Sequence, residues 1–307
     1  MIDIHSHLYL EWYLDELRKR TEAPCVSEMD GSERLIVIPG TAGVPLTPVY
    51  WSIEEKVRYM DAVGIEASLL SPGNPWLGFL EDAKALEWAE RTNLGFASLT
   101  ESSPDRLYAL GVLPMSSIGD CLRALGVIRE HPALKGVISG TEVCGLPFDE
   151  PELDPLWETL DDLECMVLVH PGAVTMRSPK DGLGLTVGVS FPLETTVAAA
   201  RLLLAEVPER FPNIRFVLAH GGGALPFLLG RLDHVWNAPS APSEMARRFY
   251  IDSLVYEKRT RTFASQRLGE DRLMWGSDHP FSMPDPSDVR GTSMGIDSET
   301  ARRVLRL

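Results

Sequence analysis

The sequence predicts a (β/α)₈ barrel. Three observations point there. Short runs rich in Val, Ile and Leu recur along the chain, amphipathic stretches of helical length separate them, and polar residues with metal-binding chemistry directly follow several of the runs. Short, wholly apolar strands are typical of parallel sheets buried on both faces. Eight such alternations suffice to close a barrel. An open doubly wound sheet is the structural alternative, but no Gly-x-Gly-x-x-Gly turn follows the first strand.

In chain order the expected strands are Ile2–Ile4, Ala67–Ser71, Leu107–Leu113, Gly136–Ser139, Met166–Val169, Ile214–Ala219, Phe249–Asp252 and Arg272–Gly276. The expected helices between them are Ile53–Ala62, Leu80–Ser98, Ile118–Glu130, Leu153–Leu163, Leu193–Glu206, Leu225–Trp236, Thr260–Leu268 and Ser298–Leu305. Residues from about 11 to 51 break the alternation. They carry Pro24, Gly31, Pro39, Gly40, Gly43, Pro45 and Pro48 and are too many for an ordinary βα connection. The expectation is a small insertion after the first strand, lying over the barrel mouth, with Arg34–Ile38 as an extra strand. Val174–Phe191 reads as a second long loop of the kind that shapes a site. Residues 1–307 then form a single barrel domain.

Composition narrows the function. The chain has 307 residues, 44% hydrophobic and 24% charged, enough for a large core. Its formal charge of −15, without a Lys/Arg cluster, argues against nucleic acid and anionic membranes as partners. No apolar run approaches the roughly 18 residues that a bilayer span needs. The first residues lack the basic and apolar regions of a secretory signal. Cys25, Cys121, Cys144 and Cys165 are scattered, as reduced thiols of a cytoplasmic protein would be.

The chemistry begins in Ile2-Asp3-Ile4-His5-Ser6-His7. Residues two apart share a strand face, so His5 and His7 point the same way, and two imidazoles so placed can hold one metal ion. Further along, His170 follows Met166–Val169, His220 follows Ile214–Ala219 and Asp278 follows Arg272–Gly276. Barrel chemistry sits at the C-terminal strand ends, so these five residues, from strands one, five, six and eight, would meet. His5, His7, His170 and Asp278 supply three imidazoles and one carboxylate for one divalent ion. Zinc is the first expectation and manganese the second. His220, beside Gly221–Gly223, is expected to move protons from an unligated position, with Asp278 as the other candidate for that role. His131 and His234 fall on helices and read as surface residues. Asp252 could line the pocket or cap a helix, and His279 could point away.

These residues carry a resemblance. The motifs Asp3-Ile4-His5-Ser6-His7, Met60-Asp61, Gly111-Val112-Leu113-Pro114, Leu156-Trp157, Val169-His170-Pro171, Pro192-Leu193-Glu194-Thr195-Thr196, Ala219-His220-Gly221-Gly222-Gly223-Ala224, Gly230-Arg231 and Gly276-Ser277-Asp278-His279-Pro280-Phe281 run nearly end to end. The sequence resembles the decarboxylase branch of the amidohydrolase superfamily, typified by 2-amino-3-carboxymuconate-6-semialdehyde decarboxylase. The resemblance implies a distorted barrel binding zinc or manganese through His5, His7, His170 and Asp278, with His220 as acid/base. It also implies a homodimer in which Arg231 reaches the neighbouring subunit's site to hold a substrate carboxylate. Three substrate positions depart from the family pattern. An arginine is replaced by Thr47, a pocket tryptophan by Val187 and a tyrosine by His279.

The expected activity is metal-dependent, non-oxidative decarboxylation of a small aromatic or unsaturated carboxylic acid, with Phe281 and either Trp51 or Trp76 as candidates to stack on the planar substrate. The same residues could instead serve a hydrolase or hydratase that adds metal-bound hydroxide to a lactone, amide or unsaturated acid.

Overall fold

The computed structural model describes residues 1–80, 82–172, 184–236, 240–281, 296 and 298–307. Among these, eight strands form one sheet in chain order: β1 (Ile2–Leu8), β2 (Ala67–Pro72), β3 (Leu107–Val112), β4 (Leu134–Ser139), β5 (Met166–Val169), β6 (Arg215–Leu218), β7 (Tyr250–Asp252) and β8 (Leu273–Met274). Every neighbouring pair in that order is parallel. The sheet closes where β1 meets the segment after β8. Ile4 N–H donates to Trp275 O at 3.0 Å, His7 N–H to His279 O at 2.7 Å and Asp278 N–H to His5 O at 2.8 Å. The chain is therefore a (β/α)₈ barrel, its helices alternating with the strands as predicted.

Side chains of a strand alternate between two faces, and here they sort into two layers. Ala67, Leu69, Met166, Leu168, Val217, Ala219 and Met274 fill the barrel interior. Leu70, Val167, Val169, Leu218 and Trp275 pack outward under the helices, against Met60, Leu125, Leu160 and Leu202. The helix Ile53–Val63 illustrates the end chemistry. Ser52 accepts from Glu55 N–H at its start, and Gly64 takes a left-handed φ of 82° at its end.

β1 departs from plain alternation. Asp3 faces Ser68 and Ser6 faces Leu70, three steps on one strand against two on the other. One extra residue is thus accommodated as a bulge. Ile2 and Ile4 belong to the inner layer and Leu8 to the outer one. Without the bulge, an inward Ile4 would send His5 and His7 outward. With it, both follow Ile4 to the inside. β1 also continues to Leu8, past the predicted end at Ile4, so both histidines lie within the strand.

The insertion is more ordered than its Pro and Gly content predicts. It contains a helix, Glu11–Arg18, and an antiparallel hairpin of Cys25–Met29 and Ser32–Ile36 onto which Val44–Pro45 pairs. The anticipated extra strand is the middle one of these three. The helix was not anticipated, although Tyr13, Leu14 and Leu17 carry helical spacing and form its buried face. These residues join Val26, Leu35, Leu46 and Tyr50 in a separate apolar cluster with Leu77 and Trp88.

Of the expected loop Val174–Phe191, residues 174–183 lie outside the described residues. The remainder is helical. A π-helical turn at Thr186–Ser190 runs into the helix Phe191–Leu204. The wider turn accommodates the missing N–H and the ring of Pro192, so helix extends across it. The combined run Thr186–Leu204 has the length and mean hydropathy, 1.3, of a membrane span, contrary to the expectation of none. It carries Glu194 and Arg201, and Ala198, Ala199, Leu202 and Leu203 bury against the barrel.

Candidate metal centre and active site

At the C-terminal mouth of the barrel, His5, His7, His170 and Asp278 bring one ligand-type atom each to within 4.8 Å of one another, and all four residues are buried. His5 Nε2 lies 3.1 Å from His7 Nε2, and His7 Nε2 lies 3.1 Å from Asp278 Oδ1. Each imidazole is anchored through its other nitrogen. His5 Nδ1 donates to Asp252 Oδ2 at 2.7 Å and His170 Nδ1 donates to Pro171 O at 2.8 Å. Ser71 Oγ donates to Ser6 O at 3.1 Å, which leaves it to accept from His7 Nδ1 at 3.0 Å. The network therefore places the proton on Nδ1 in all three rings and turns three Nε2 lone pairs inward. Acceptor nitrogens 3.1 Å apart beside a carboxylate repel one another. A divalent cation among them relieves that repulsion, so the donor set fits such an ion.

The electrostatics agree for two of the three rings. Burial holds the His7 imidazole below its ordinary range. Burial and the neighbouring imidazoles hold His170 well below it. Both rings are thus neutral, as a ligand must be. Burial also opposes charge on His5, but Asp252 and Asp278 outweigh it and raise its pKa. Burial disfavours the charged form of Asp278, yet its contact with His7 and the other imidazoles around it keep its carboxyl below the usual range.

His220 stands beside this set without being anchored like it. Its ring centroid is 5.7 Å from that of His5 and 5.3 Å from that of His170. Its Nδ1 is buried and has no hydrogen-bond partner among the described residues. Burial pushes its pKa down. Both His220 and Asp278 adopt left-handed φ angles, 56° and 55°. Such strain in non-glycine residues clusters at functional sites. The glycines after His220 serve the protein's own packing. A Cβ at Gly223 would lie 2.0 Å from Pro192 O, so this turn packs against its neighbouring helix.

Asp252 is the residue whose importance the sequence left open. Besides His5, it accepts from His220 N–H and Gly221 N–H, each at 2.8 Å. One buried carboxylate thus orients the His5 ring and the backbone that carries His220. His279 turns away from the cluster. Its Nδ1 meets the buried Lys56 Nζ at 2.8 Å, and its ring stacks on Tyr59.

Above the cluster is a cavity of about 180 Å³. Its floor is His7, His170, His220 and Asp278. Its roof comes from the insertion through Leu35, Val37, Ile38 and Val44, and Val187, Phe191 and Phe281 complete the walls. The Phe281 ring centroid lies 5.5 Å from that of His7 and 5.5 Å from that of Tyr50. Trp51 is absent from the lining and packs instead against the cluster of the insertion. Pro48–Tyr50 is a 3₁₀ turn, in which successive residues diverge by about 120°. Tyr50 faces Phe281, while Trp51 lies beyond the turn with φ −136° and packs with the insertion. Val187 lines the cavity, whereas Thr47 is exposed at the start of that turn. Arg231 is exposed on the helix Leu225–Val235 and does not line the cavity of its own chain.

A barrel with this histidine–aspartate rim defines a class of metal-dependent enzymes. The amidohydrolase family model matches residues 2–306, and the chain belongs to that family. Its relatives place it in the decarboxylase branch. The 2-amino-3-carboxymuconate-6-semialdehyde decarboxylase of Dictyostelium discoideum is 28% identical over 243 residues, 76% of this chain and 68% of that protein. The gamma-resorcylate decarboxylase of Rhizobium sp. MTP-10005 is 28% identical over 287 residues, 83% of this chain and 87% of that protein. Among solved structures, Metarhizium anisopliae IDCase in apo form superposes with a TM-score of 0.91 at 28% identity, covering 99% of this chain and 96% of that one. A dihydroxybenzoic acid decarboxylase from Polaromonas sp. JS666 was solved with bound manganese and the inhibitor 2-nitroresorcinol. It shares the fold, with a TM-score of 0.76 at 22% identity over 100% of this chain and 96% of that one.

Proposed function

We propose that this chain is a metal-dependent, non-oxidative decarboxylase of a small aromatic carboxylic acid. The observation that carries the reading is the convergence of three Nδ1-anchored imidazoles and Asp278 beneath a flat-sided apolar cavity. His5, His7, His170 and Asp278 hold one divalent ion in this reading. The nitrogen-rich donor set favours zinc, and manganese in a solved neighbour makes that ion the competitor. The ion supplies positive charge to hold the substrate carboxylate and an adjacent oxygen. Phe281 covers the ring, and the insertion excludes water from above. As the bond to the carboxylate carbon breaks, carbon dioxide leaves and the electron pair stays on the ring. His220 delivers a proton to that carbon, forming the new C–H bond. Its burial beside the cluster and its unpartnered Nδ1 support this role.

The proposed assembly is a homodimer. Phe227, Arg231 and Val235 form an exposed stripe at i, i+4 and i+8, and Phe227 is 78% exposed. Leu193, Val197 and Leu204 are exposed apolar residues on the helix Phe191–Leu204. A second copy docking here would bury these residues and carry Arg231 toward its partner's cavity. A family match spanning 2–306 supports one domain. Four cysteines outside any disulfide support a reducing, cytoplasmic setting.

The test is elemental analysis of the purified protein together with carbon dioxide release from a panel of hydroxybenzoates and unsaturated diacids. About one divalent ion per chain and chelator-sensitive carbon dioxide release are expected. Full activity without bound metal, or labelled water entering product with no carbon dioxide, overturns the reading.

A further inference from the structure

The helix Ile53–Val63 buries Lys56 together with Met60 and Val63, residues at i, i+4 and i+7 on one face. The first position of an otherwise apolar stripe is thus a lysine, and its side chain is wholly shielded from solvent. A buried ammonium is costly unless it is paired and hydrogen-bonded, so its partners show what it serves. Lys56 Nζ donates to His279 Nδ1 at 2.8 Å and to His279 O at 3.5 Å. Burial draws the lysine pKa down to about 8, opposed by Asp3 and Asp278. The ammonium form prevails at pH 7, and His279 Nδ1 is its acceptor. The His279 ring is also held against Tyr59, with centroids 4.0 Å apart.

Asp3 grips the same segment from its other end. Its Oδ1 accepts from Ser277 N–H at 3.0 Å and its Oδ2 from Ser277 Oγ at 2.6 Å. Ser277 Oγ in turn accepts from His279 N–H at 3.0 Å. Asp278 lies between these two tethered residues with a left-handed φ of 55°. A non-glycine residue keeps such a conformation only where its surroundings impose it. His279 O also takes the His7 N–H at 2.7 Å, so the tether reaches two residues of the rim cluster. Neither Lys56 nor Asp3 lines the cavity above that cluster.

We infer that Lys56 is a positioning residue for the metal centre: with Asp3 it clamps residues 277–279 and so fixes the strained backbone from which Asp278 presents its carboxylate to the rim cluster. The inference rests on the reading of Asp278 as a metal ligand and goes beyond it, since Lys56 acts on that ligand through His279 without touching it.

Metal affinity and ligand geometry test this apart from turnover. Zinc dissociation constants are measured by competition with a chelator, and the visible absorption bands of the cobalt(II)-loaded protein report the ligand field. Lys56→Met is expected to weaken zinc binding by about 10-fold to 100-fold and to shift the cobalt bands. His279→Phe keeps a ring against Tyr59 and leaves the lysine beside Asp3, and the same two changes are expected. The double variant should lose no more than about threefold beyond the worse single one, because both substitutions cut one chain of contacts. Met60→Ala, on the same helix face, is expected to lower thermal stability through the space it opens. Its zinc affinity should stay within about threefold of wild type, with the cobalt bands in place. Unchanged affinity and bands in Lys56→Met, or in His279→Phe should the first variant fail to fold, overturn the inference. Additive losses in the double variant, or an equal loss of affinity in Met60→Ala, also overturn it. A wild type that takes up neither ion refutes the metal reading itself and the inference with it.

Discussion

The floor and the roof of the cavity are built on opposite plans. The floor takes its polar side chains from β1, the ends of β5 and β6 and the segment after β8, elements of one closed sheet. Each of its three ligand-type histidines is fixed by a second hydrogen bond. The roof is a small three-stranded antiparallel sheet outside the barrel and the loop between its last two strands, contributing Leu35, Val37, Ile38 and Val44 and no titratable group. Rigid strands hold the atoms that must keep a geometry to within fractions of an ångström. A peripheral hairpin sets shape, which can change without disturbing the chemistry.

The largest expected effect comes from breaking the floor itself. His170→Ala should lose both metal and activity, from about one ion per chain to almost none and by about 10⁴-fold in turnover, read by elemental analysis and carbon dioxide release. His220→Ala should separate the two properties, keeping the ion while kcat falls about 10²-fold to 10⁴-fold. Loss of the ion in that variant would mean that His220 belongs with the ligands. Asp252→Asn probes the anchoring layer below. It should cost about 10-fold to 100-fold in metal affinity or activity, measured by competition with a chelator. Arg231→Ala tests whether a third wall arrives from a second subunit. KM should rise about 10-fold or more with kcat little changed, as for a lost binding contact, and sedimentation should still report a dimer. Val37→Ala loosens the roof only. It should shift KM by about 3-fold to 10-fold between ring-substituted acids while metal content and kcat stay near wild type.

Much of this was legible because hydrophobic patterning is a local property. All eight strands and eight helices of the barrel fall where apolar runs and amphipathic periods place them, with edges shifted by a few residues. What escaped was set by neighbours. The Glu11–Arg18 helix was hidden by the Pro and Gly around it. Trp51 was expected at the substrate, but it ends a 3₁₀ turn and packs with the insertion instead. Asp252 offered two readings at a strand end, and the structure gives it a third, as His5 and the His220 backbone converge on it.

By itself, the sequence determined the class of fold, the chemistry available at the rim and the family to which the chain belongs. Tertiary structure alone decided that the rim residues face one another. His5 and His7 share a face because a strand has a period of two. Which face that is depends on the extra residue that β1 takes up between Asp3 and Ser6 when it pairs with β2. A bulge is a relation between two strands, so no pattern within one of them can announce it.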